Sequence, residues 1–347
     1  MRYFIWTTLG TILVLIIFFG YQRNFGNVSN LPVDEEQSGL NDQIVIKFSH
    51  VVAENTPKGL AASKVAELIE KKTNGRIRVE VYPNSVLYSD DDEFKALQKG
   101  KVEMIAPSFS KVTELVPEWQ VLDMPYILED YNDVRAVFTG KVGEDLLSKM
   151  DRIDVKGLAL WSNGFKQMTT NELPLVNKED FEGLRVRTMP SEMLEKQFSI
   201  LGAKPISSSF DEVYSSLENH QIDAQENTLS NIYSKGFYHV QKYMTLSNHG
   251  FLGYAVMMNS EFWESLPKDL QSDVKEAIDE ATLWNLQQSE KMNQTDLENI
   301  KRVSDIEIHP LSEQELAKWK KWFEPLYKQI DSRESRTLIH DIQAEIK

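Results

Sequence analysis

Segments with two different spacings of apolar residues alternate along this chain, one spacing typical of β-strands and the other typical of α-helices. The stretch RIRVEVY alternates apolar and polar residues and predicts a strand over 76–82. The stretch before it predicts a helix, which Thr56 caps at its start and which ends at Asn74 and Gly75. Similar patterns predict further strands at 44–49, 102–108, 155–161, 184–187 and 254–259. Strands that alternate with helices indicate an α/β fold with mostly parallel sheets.

The longest predicted helix covers residues 266–303, where no Gly or Pro follows Pro267. Globular helices usually have about 8–20 residues, so this helix is long enough to pass along two neighbouring lobes. Two sheet-forming regions, separated near Trp161–Gly164, also indicate two lobes. We therefore expect 266–303 to act as a hinge or strut across both lobes, and two more helices within 312–347.

The N-terminal region has a different pattern, because Phe4–Tyr21 carries no charge and is about as long as a membrane span. We interpret 1–23 as a signal or anchor segment and the polar stretch 24–43 as a linker. The apolar run exceeds the ~7–15 residues of a typical signal peptide, and no small-residue cleavage site follows it. This favours an anchor over a cleaved signal peptide. The rest of the chain is then expected outside the cytoplasm, anchored or else secreted or periplasmic.

The charge balance and the absence of cysteine exclude several classes of protein. With 38 Lys and Arg against 53 Asp and Glu, the net charge is −15, which disfavours nucleic-acid binding because phosphate affinity needs clustered cations. The lack of cysteine excludes disulfides, thiolate metal sites, cysteine nucleophiles and a lipid-modified N-terminal cysteine. The sequence contains no GxGxxG, P-loop, GxSxG or HExxH motif, so we expect a protein without cofactor, metal or enzyme activity.

The candidate ligand-binding residues begin with Arg187 in the stretch LRVRTMPS. Arg187 ends a predicted strand, and Ser191 is placed to cap the helix that follows. A guanidinium group beside a helix N-terminus suits a carboxylate. The alternative is an edge-strand arginine in a surface salt bridge. Arg185 lies deeper in the same strand, where solvation or a structural ion pair is expected.

Further polar candidates follow other predicted strand ends, where ligands bind in open α/β sheets. Lys166 comes after the strand 155–161 and offers a second cation, with a solvated loop lysine as the alternative. Asn227 follows a short strand and is placed to donate a hydrogen bond into the same crevice or to cap a helix. His50 lies at a strand end and His249 just before a strand, so each is either a cleft residue or a hydrogen-bonded core or edge histidine.

Several stretches occur together, in an order that one protein family shares. They are IKFSHVVAENTPKG, VEVYPNSVLY, APSFSK, WSNGFKQM, GLRVRTMPS, SSFDEVYSSLENHQIDAQENTLSNIY and VQKYMTLSNHGFLGYAVMMN. Through them the chain, from about residue 44 to about residue 308, resembles the DctP family. These are the solute-binding proteins of tripartite ATP-independent periplasmic (TRAP) transporters. Within the family it looks most like the C4-dicarboxylate binders, through FSHVVAENTP, NGFKQM and SNHGFLGY.

The resemblance implies a two-lobed clamshell of the periplasmic-binding-protein type, with a long helix spanning both lobes. We place lobe I at 44–163 plus 253–292 and lobe II at 164–252 plus 293–347.

The resemblance also implies roles for individual residues. Arg187 matches the strand-end arginine that binds the ligand carboxylate, and Asn227 matches an asparagine in the stretch DAQEN, where Ala224 replaces the usual glycine. Phe210 matches the aromatic residue that packs on the ligand, and Lys166 matches a cation that meets the second carboxylate. Additional ligand contacts are expected from His50, Ser108 and His249.

These implications predict a binding protein for a small C4-dicarboxylate such as succinate, fumarate or malate. Its membrane partner would be the permease subunits of a TRAP transporter. One alternative is a sensing protein that presents the same ligand to a membrane sensor kinase or carrier. Another is an extracellular enzyme with Glu226 or His249 as its base.

Overall fold

The computed structural model describes residues 43–330 and 332–347. The predicted signal or anchor segment 1–23, and the predicted linker 24–43 apart from its last residue, lie outside the described residues. Residues 44–347 form one structural unit. Among the described residues, no helix is both long enough and apolar enough to cross a membrane.

Strands and helices alternate along most of the described chain. The strands are β1 Ile44–Ser49, β2 Ile77–Tyr82, β3 Met104–Ile105, β4 Val155–Thr170, β5 Arg185–Thr188, β6 Lys204–Ser207, β7 Ala224–Thr228, β8 Tyr243–Leu246, β9 Phe251–Asn259 and β10 Glu307–Pro310. The α-helices are α1 Pro57–Lys72, α2 Glu93–Gln98, α3 Phe109–Val112, α4 Tyr131–Thr139, α5 Lys141–Ser148, α6 Glu192–Ile200, α7 Val213–Glu218, α8 Leu229–Ser234, α9 Ser260–Ser265, α10 Lys268–Val303, α11 Glu313–Lys328 and α12 Arg333–Glu345. The predicted long helix is confirmed as α10, and the two predicted C-terminal helices are α11 and α12.

The sheet is mixed, whereas mostly parallel sheets were predicted. Its strands lie in the order β2-β1-β3-β9-β4-β7-β5-β6, with β8 paired to β4 and β10 paired to β8. Strands run parallel at both ends, where β1 pairs with β2 and β3, and β5 pairs with β6 and β7. In the centre, β9 runs antiparallel to β3 and β4, and β4 runs antiparallel to β7 and β8. Two parallel regions with helical crossovers are therefore joined by two antiparallel strands.

Strand β4 is shared by the two parallel regions. Its residues 155–165 pair with β9, whereas 166–170 pair with β7 and β8. A register irregularity between Ser162 and Gly164 precedes this change of partner. Gly164 has a φ of +156°, and a Cβ on it would lie 2.6 Å from Nδ2 of Asn293, so this position requires glycine.

The prediction that this strand ends at Trp161 is wrong. The polar residues Ser162 and Asn163 are fully buried within the strand. Helix α10 makes this burial tolerable, because Asn285 Nδ2 donates to Ser162 O at 3.0 Å and Asn293 Nδ2 donates to Asn163 O at 2.6 Å. The helix thus binds β4 at the point where the strand passes from one region of the sheet to the other.

Candidate functional site

A cleft opens where the carboxyl ends of the parallel strands in the two sheet regions face each other. Its walls lie close together and leave about 20 Å³ of free space between them, which is room for about one water molecule. The residues that line it are Val51, Val52, Lys58, Asp90, Ser108, Arg187, Met189, Phe210, Asn227, Asn231, Leu252 and Tyr254. Most of them follow a strand or begin a helix, which is the usual place for ligands in α/β sheets.

Arg187 brings a buried positive charge to this cleft. The residue is 1 % exposed, and its Nε and Nη2 donate to Ser208 O at 3.1 and 2.6 Å. In the described part of the chain, it forms no ion pair with any Asp or Glu. Burial lowers the pKa of Arg187, while Asp90 and Glu226 oppose this at longer range. Because a guanidinium group stays charged in proteins, an anion in the cleft would supply the missing counter-charge.

Arg185, on the same side of β5, has a counter-charge of its own. Its Nε and Nη2 donate to the two carboxylate oxygens of Asp223 at 3.0 and 2.6 Å. These hydrogen bonds raise the pKa of Arg185 and lower the pKa of Asp223. The structural ion pair expected for Arg185 is therefore confirmed. Arg187 differs from Arg185 in that its hydrogen bonds go to a backbone carbonyl group.

Lys58 is the second cation of the cleft, and it was missed in the sequence. It lies completely buried in the first turn of α1, where its Nζ donates to Ala106 O at 2.9 Å and sits 3.8 Å from the ring centroid of Tyr254. Burial lowers the pKa of Lys58 to about 8, against the opposing charges of Glu93 and Asp90. One sequence signal was available, because the helix dipole disfavours a cation in a first turn.

Neutral groups complete the lining. Asn227 Oδ1 accepts a hydrogen bond from Asn231 Nδ2 at 2.8 Å, and its own Nδ2 makes none within the described ranges. Ser108 Oγ accepts a backbone hydrogen bond from α3 and keeps its O–H as a donor. Phe210, 8 % exposed, forms an apolar wall. With Arg187, these are the sequence-predicted residues that the structure places along the cleft.

Lys166 and His249 do not line the cleft, contrary to the prediction. Lys166 lies within β4 and not in a loop, and its Nζ donates to Glu226 Oε1 at 2.7 Å. His249 Nε2 lies 2.8 Å from the other oxygen, Glu226 Oε2, and Ser247 Oγ lies 2.7 Å from His249 Nδ1. Lys166, Glu226 and His249 are at most 1 % exposed, and we name these three residues the buried ion cluster.

The alternation of side chains along β7 explains why the cluster and the cleft are separate. Glu226 and Asn227 are neighbours on a strand, so their side chains lie on opposite faces. Burial alone would raise the pKa of Glu226, but Lys166 and the hydrogen bond with His249 outweigh it and hold the pKa at about 2. Burial lowers the pKa of His249, so its ring is neutral. The cluster therefore contains one cation and one anion, and is balanced without a ligand.

His50 lies behind the wall of the cleft and does not line it. It is fully buried, and its ring packs edge-on against Phe48 with 6.0 Å between ring centroids. Burial and the nearby charge of Lys58 lower the pKa of His50 to about 3, so the ring is neutral. The residues of this segment that reach the cleft are Val51 and Val52.

The lining of the cleft suits an anion better than a metal ion. Its charged side chains are Lys58, Arg187 and Asp90, which leaves one net positive charge. Within residues 43–330 and 332–347, no group of His, Asp or Glu side chains is arranged to hold a metal ion. A ligand with negative charge therefore fits this site electrostatically.

A family model and a relative with a curated name match most of the chain. The model of bacterial extracellular solute-binding protein family 7, DctP, matches residues 48–334. The C4-dicarboxylate-binding protein DctB of Bacillus subtilis (strain 168) is 48 % identical over 326 residues, which are 94 % of this chain and 93 % of that protein.

Solved structures with the same fold contain bound dicarboxylates. A TRAP periplasmic solute-binding protein from Sulfurospirillum deleyianum with bound succinate superposes with a TM-score of 0.83 and 41 % identity, covering 88 % of this chain and 99 % of that one. A TRAP periplasmic solute-binding protein from Pseudomonas aeruginosa with bound L-malate gives a TM-score of 0.80 and 35 % identity, covering 82 % and 99 %.

Proposed function

The chain belongs to family 7 of the bacterial extracellular solute-binding proteins, and on this premise we propose that it captures a C4-dicarboxylate for a TRAP-type transporter. The family and the two-lobed α/β fold predicted from the sequence are confirmed. The ligand class is supported by the name of the Bacillus subtilis relative and by the succinate and L-malate in the two related structures.

The observation that carries the proposal is the buried guanidinium group of Arg187, which forms no ion pair with any carboxylate among the described residues. Leaving a buried charge unpaired is costly, so such a group is expected to have a partner that is absent from the chain itself. Ser208 O accepts one hydrogen bond from Nε and one from Nη2. The remaining three N–H donors of Arg187 are sufficient for a carboxylate held by two parallel hydrogen bonds.

We assign the second carboxylate of the ligand to Lys58. This replaces the role predicted for Lys166, because Lys58 lines the cleft and Lys166 is already paired with Glu226. Asn227 Nδ2 and the Ser108 hydroxyl would supply neutral hydrogen bonds, and Phe210 would cover the carbon chain. Two cations for two carboxylates are the reason to prefer a dicarboxylate over a monocarboxylate. His50 and His249 would act only indirectly, from behind the wall.

We propose that two lobes close over the ligand, because the residues that line the cleft come from both of them. We propose lobe I as 44–163 plus 253–292 and lobe II as 164–252 plus 293–347. Lys58 and Ser108 then come from lobe I, and Arg187 and Asn227 from lobe II, so one ligand would hold both lobes together. Helix α12 falls within the range given to lobe II, but it packs against α4 and α5 of lobe I, so we propose to reassign α12 to lobe I.

The proposed membrane partner is the permease of a TRAP transporter, which would bind the closed form. The two related structures carry the TRAP name, which favours transport over the sensing alternative. Family membership places the protein on the extracytoplasmic side. We propose that residues 1–23 anchor it there.

Calorimetry of the purified protein with succinate, fumarate, L-malate and pyruvate tests the ligand class. We expect binding of the dicarboxylates at micromolar concentrations or below, with pyruvate much weaker because it engages one cation only. Heat from pyruvate alone, or from none of the four acids, would refute the dicarboxylate assignment and leave the family unchanged.

A further inference from the structure

Asp90 is the one member of a run of three aspartates that turns into the protein. Asp91 is exposed and pairs with Lys111 at 2.6 Å, and Asp92 is exposed and accepts a hydrogen bond from Ser89 Oγ at 2.8 Å. Asp90 is only 7 % exposed. The turn before α2 therefore gives its outer carboxylates ordinary surface partners and directs the inner one elsewhere.

The carboxylate of Asp90 is directed into the cleft and has no partner there. Asp90 lines the cleft together with Lys58 and Arg187. Within the residues that the structure describes, its side chain accepts no hydrogen bond and forms no ion pair, so both cations lie beyond pairing distance from it. An ionised carboxylate is an acceptor only, and one that is nine-tenths buried without a donor is costly. The missing donor is therefore expected on the ligand.

This requirement distinguishes between dicarboxylates. Succinate and fumarate are ionised at both ends and carry no hydrogen-bond donor, so they would only repel Asp90. A 2-hydroxydicarboxylate carries an O–H beside one carboxylate and can donate it. Sites built to hydrogen-bond a substrate hydroxyl discriminate strongly against the analogue that lacks it, because the buried polar group is then left unpaired.

We propose that Asp90 is a specificity-determining residue that accepts a hydrogen bond from the ligand hydroxyl, so that the preferred ligand is a C4 2-hydroxydicarboxylate. This inference rests on the proposed function, since it presupposes that Arg187 and Lys58 hold two carboxylates. It predicts a preference within the dicarboxylates and, because Asp90 lies on one side of the cleft, a preference between the two enantiomers of malate.

The test is calorimetry of the full-length protein at about pH 7, where the carboxyl groups of the ligand are ionised. L-malate, D-malate and succinate are compared in the unmodified protein, in Asp90→Asn and in Asp91→Asn. The last variant makes the same change of charge one residue away, at a side chain that is 67 % exposed. We expect one malate enantiomer to bind at least ~10-fold more tightly than succinate, as expected for a charge-assisted hydrogen bond.

In Asp90→Asn, succinate should bind more tightly because a negative charge has left the cleft, and malate should gain less or lose affinity. The ratio of malate to succinate affinity should fall at least ~5-fold, since hydrogen bonds to ionised acceptors are roughly twice as strong as neutral ones. Asp91→Asn should leave this ratio unchanged. An equal change for both ligands in Asp90→Asn would overturn the proposal.

The unmodified protein gives a result even where Asp90→Asn fails to fold. Equal or weaker binding of both malate enantiomers relative to succinate would overturn the role of Asp90 and leave the dicarboxylate function intact. Absence of binding by all three acids would instead refute the proposed function.

Discussion

The cleft and the buried ion cluster use similar residues in opposite ways. In the cluster, Lys166 and His249 both bind Glu226, at 2.7 and 2.8 Å. The positive charge of Lys166 is therefore neutralised by the carboxylate of the same chain. In the cleft, the hydrogen bonds that Arg187 and Lys58 donate within the described residues go to backbone carbonyl groups, Ser208 O and Ala106 O. All five side chains are at most 1 % exposed. Burial alone therefore does not distinguish a structural cation from one that is available to a ligand.

The distinguishing property is the partner. A buried charge with an internal counter-ion lowers the free energy of the folded state relative to the broken pair, and its loss destabilises the fold. A buried charge with only neutral partners keeps part of its desolvation cost until an anion arrives, and its loss affects binding. The two regions should consequently respond to mutation in different measurements.

The largest effect is expected from Glu226→Gln. This change leaves Lys166 buried without a counter-charge and should lower the free energy of unfolding by about 3–5 kcal/mol. Urea unfolding of the ligand-free protein measures it. The double variant Lys166→Met/Glu226→Gln should recover much of the loss, because no unpaired charge remains. A stable Glu226→Gln protein would contradict the structural role of the cluster.

Arg187→Ala should act mainly on binding. We expect dicarboxylate affinity to fall at least ~10-fold, since a charge-assisted pair contributes more than ~1.4 kcal/mol. Its effect on unfolding should be smaller than that of Glu226→Gln, because no ion pair is broken. Arg185→Ala is the matched control on the same side of β5. Because Arg185 is paired with Asp223 in a half-buried ion pair and does not line the cleft, we expect a change in affinity within about twofold. Similar losses from both arginine variants would argue against a special role for Arg187.

The two buried lysines provide the sharpest comparison at constant side-chain type. Lys58→Gln should weaken succinate and malate by roughly 10-fold, while pyruvate, held by Arg187, should change little. Lys166→Gln should alter all three ligands by the same factor, because Lys166 touches Glu226 and not the cleft. Calorimetry with a dicarboxylate and a monocarboxylate distinguishes these outcomes. A selective loss of dicarboxylates in Lys166→Gln would restore the role that the sequence resemblance gave to Lys166.

The fold was predictable where a regular pattern runs without interruption. The helix α10 follows from a long stretch without Gly or Pro, and β1 and β2 follow from apolar residues at strand spacing. The course of β4 was not predictable, because Ser162, Asn163 and Gly164 are typical of a loop. They remain in the strand because Asn285 and Asn293, more than a hundred residues later, supply their hydrogen bonds.

The site was predictable to the same degree and for the same reason. Arg187 and Asn227 were predicted from their positions at or just after a predicted strand, and both line the cleft. Lys166 was misplaced because its counter-ion Glu226 is distant in sequence, and a single sequence does not show which cation pairs with which anion. Lys58 was missed because its burial depends on Tyr254 and on the carbonyl group of Ala106, both supplied by other elements of the fold.

The smallest effect concerns pH and again separates the two regions. The pKa of Lys58 is lowered to about 8 by burial, so Lys58 is charged below this pH and loses its charge as the pH rises through it. Burial raises the pKa of Glu93, a nearby carboxyl group, to about 8 as well, so Glu93 becomes negative over the same range. Both changes disfavour a dianion. Dicarboxylate affinity should therefore fall several-fold, by less than about tenfold, between about pH 7 and about pH 9.

Calorimetry across this pH range measures the fall in dicarboxylate affinity. Two variants show how much of the fall comes from Lys58 and how much from Glu93. Lys58→Gln should remove the part that comes from loss of the lysine charge, and Glu93→Gln should remove the part that comes from a new negative charge. The buried ion cluster should contribute nothing, since the pKa of Glu226 is held at about 2 and its carboxylate stays ionised throughout. A decline that persists in the double variant Lys58→Gln/Glu93→Gln would show that the pH response arises elsewhere, and the assignment of Lys58 to the second carboxylate would lose this support.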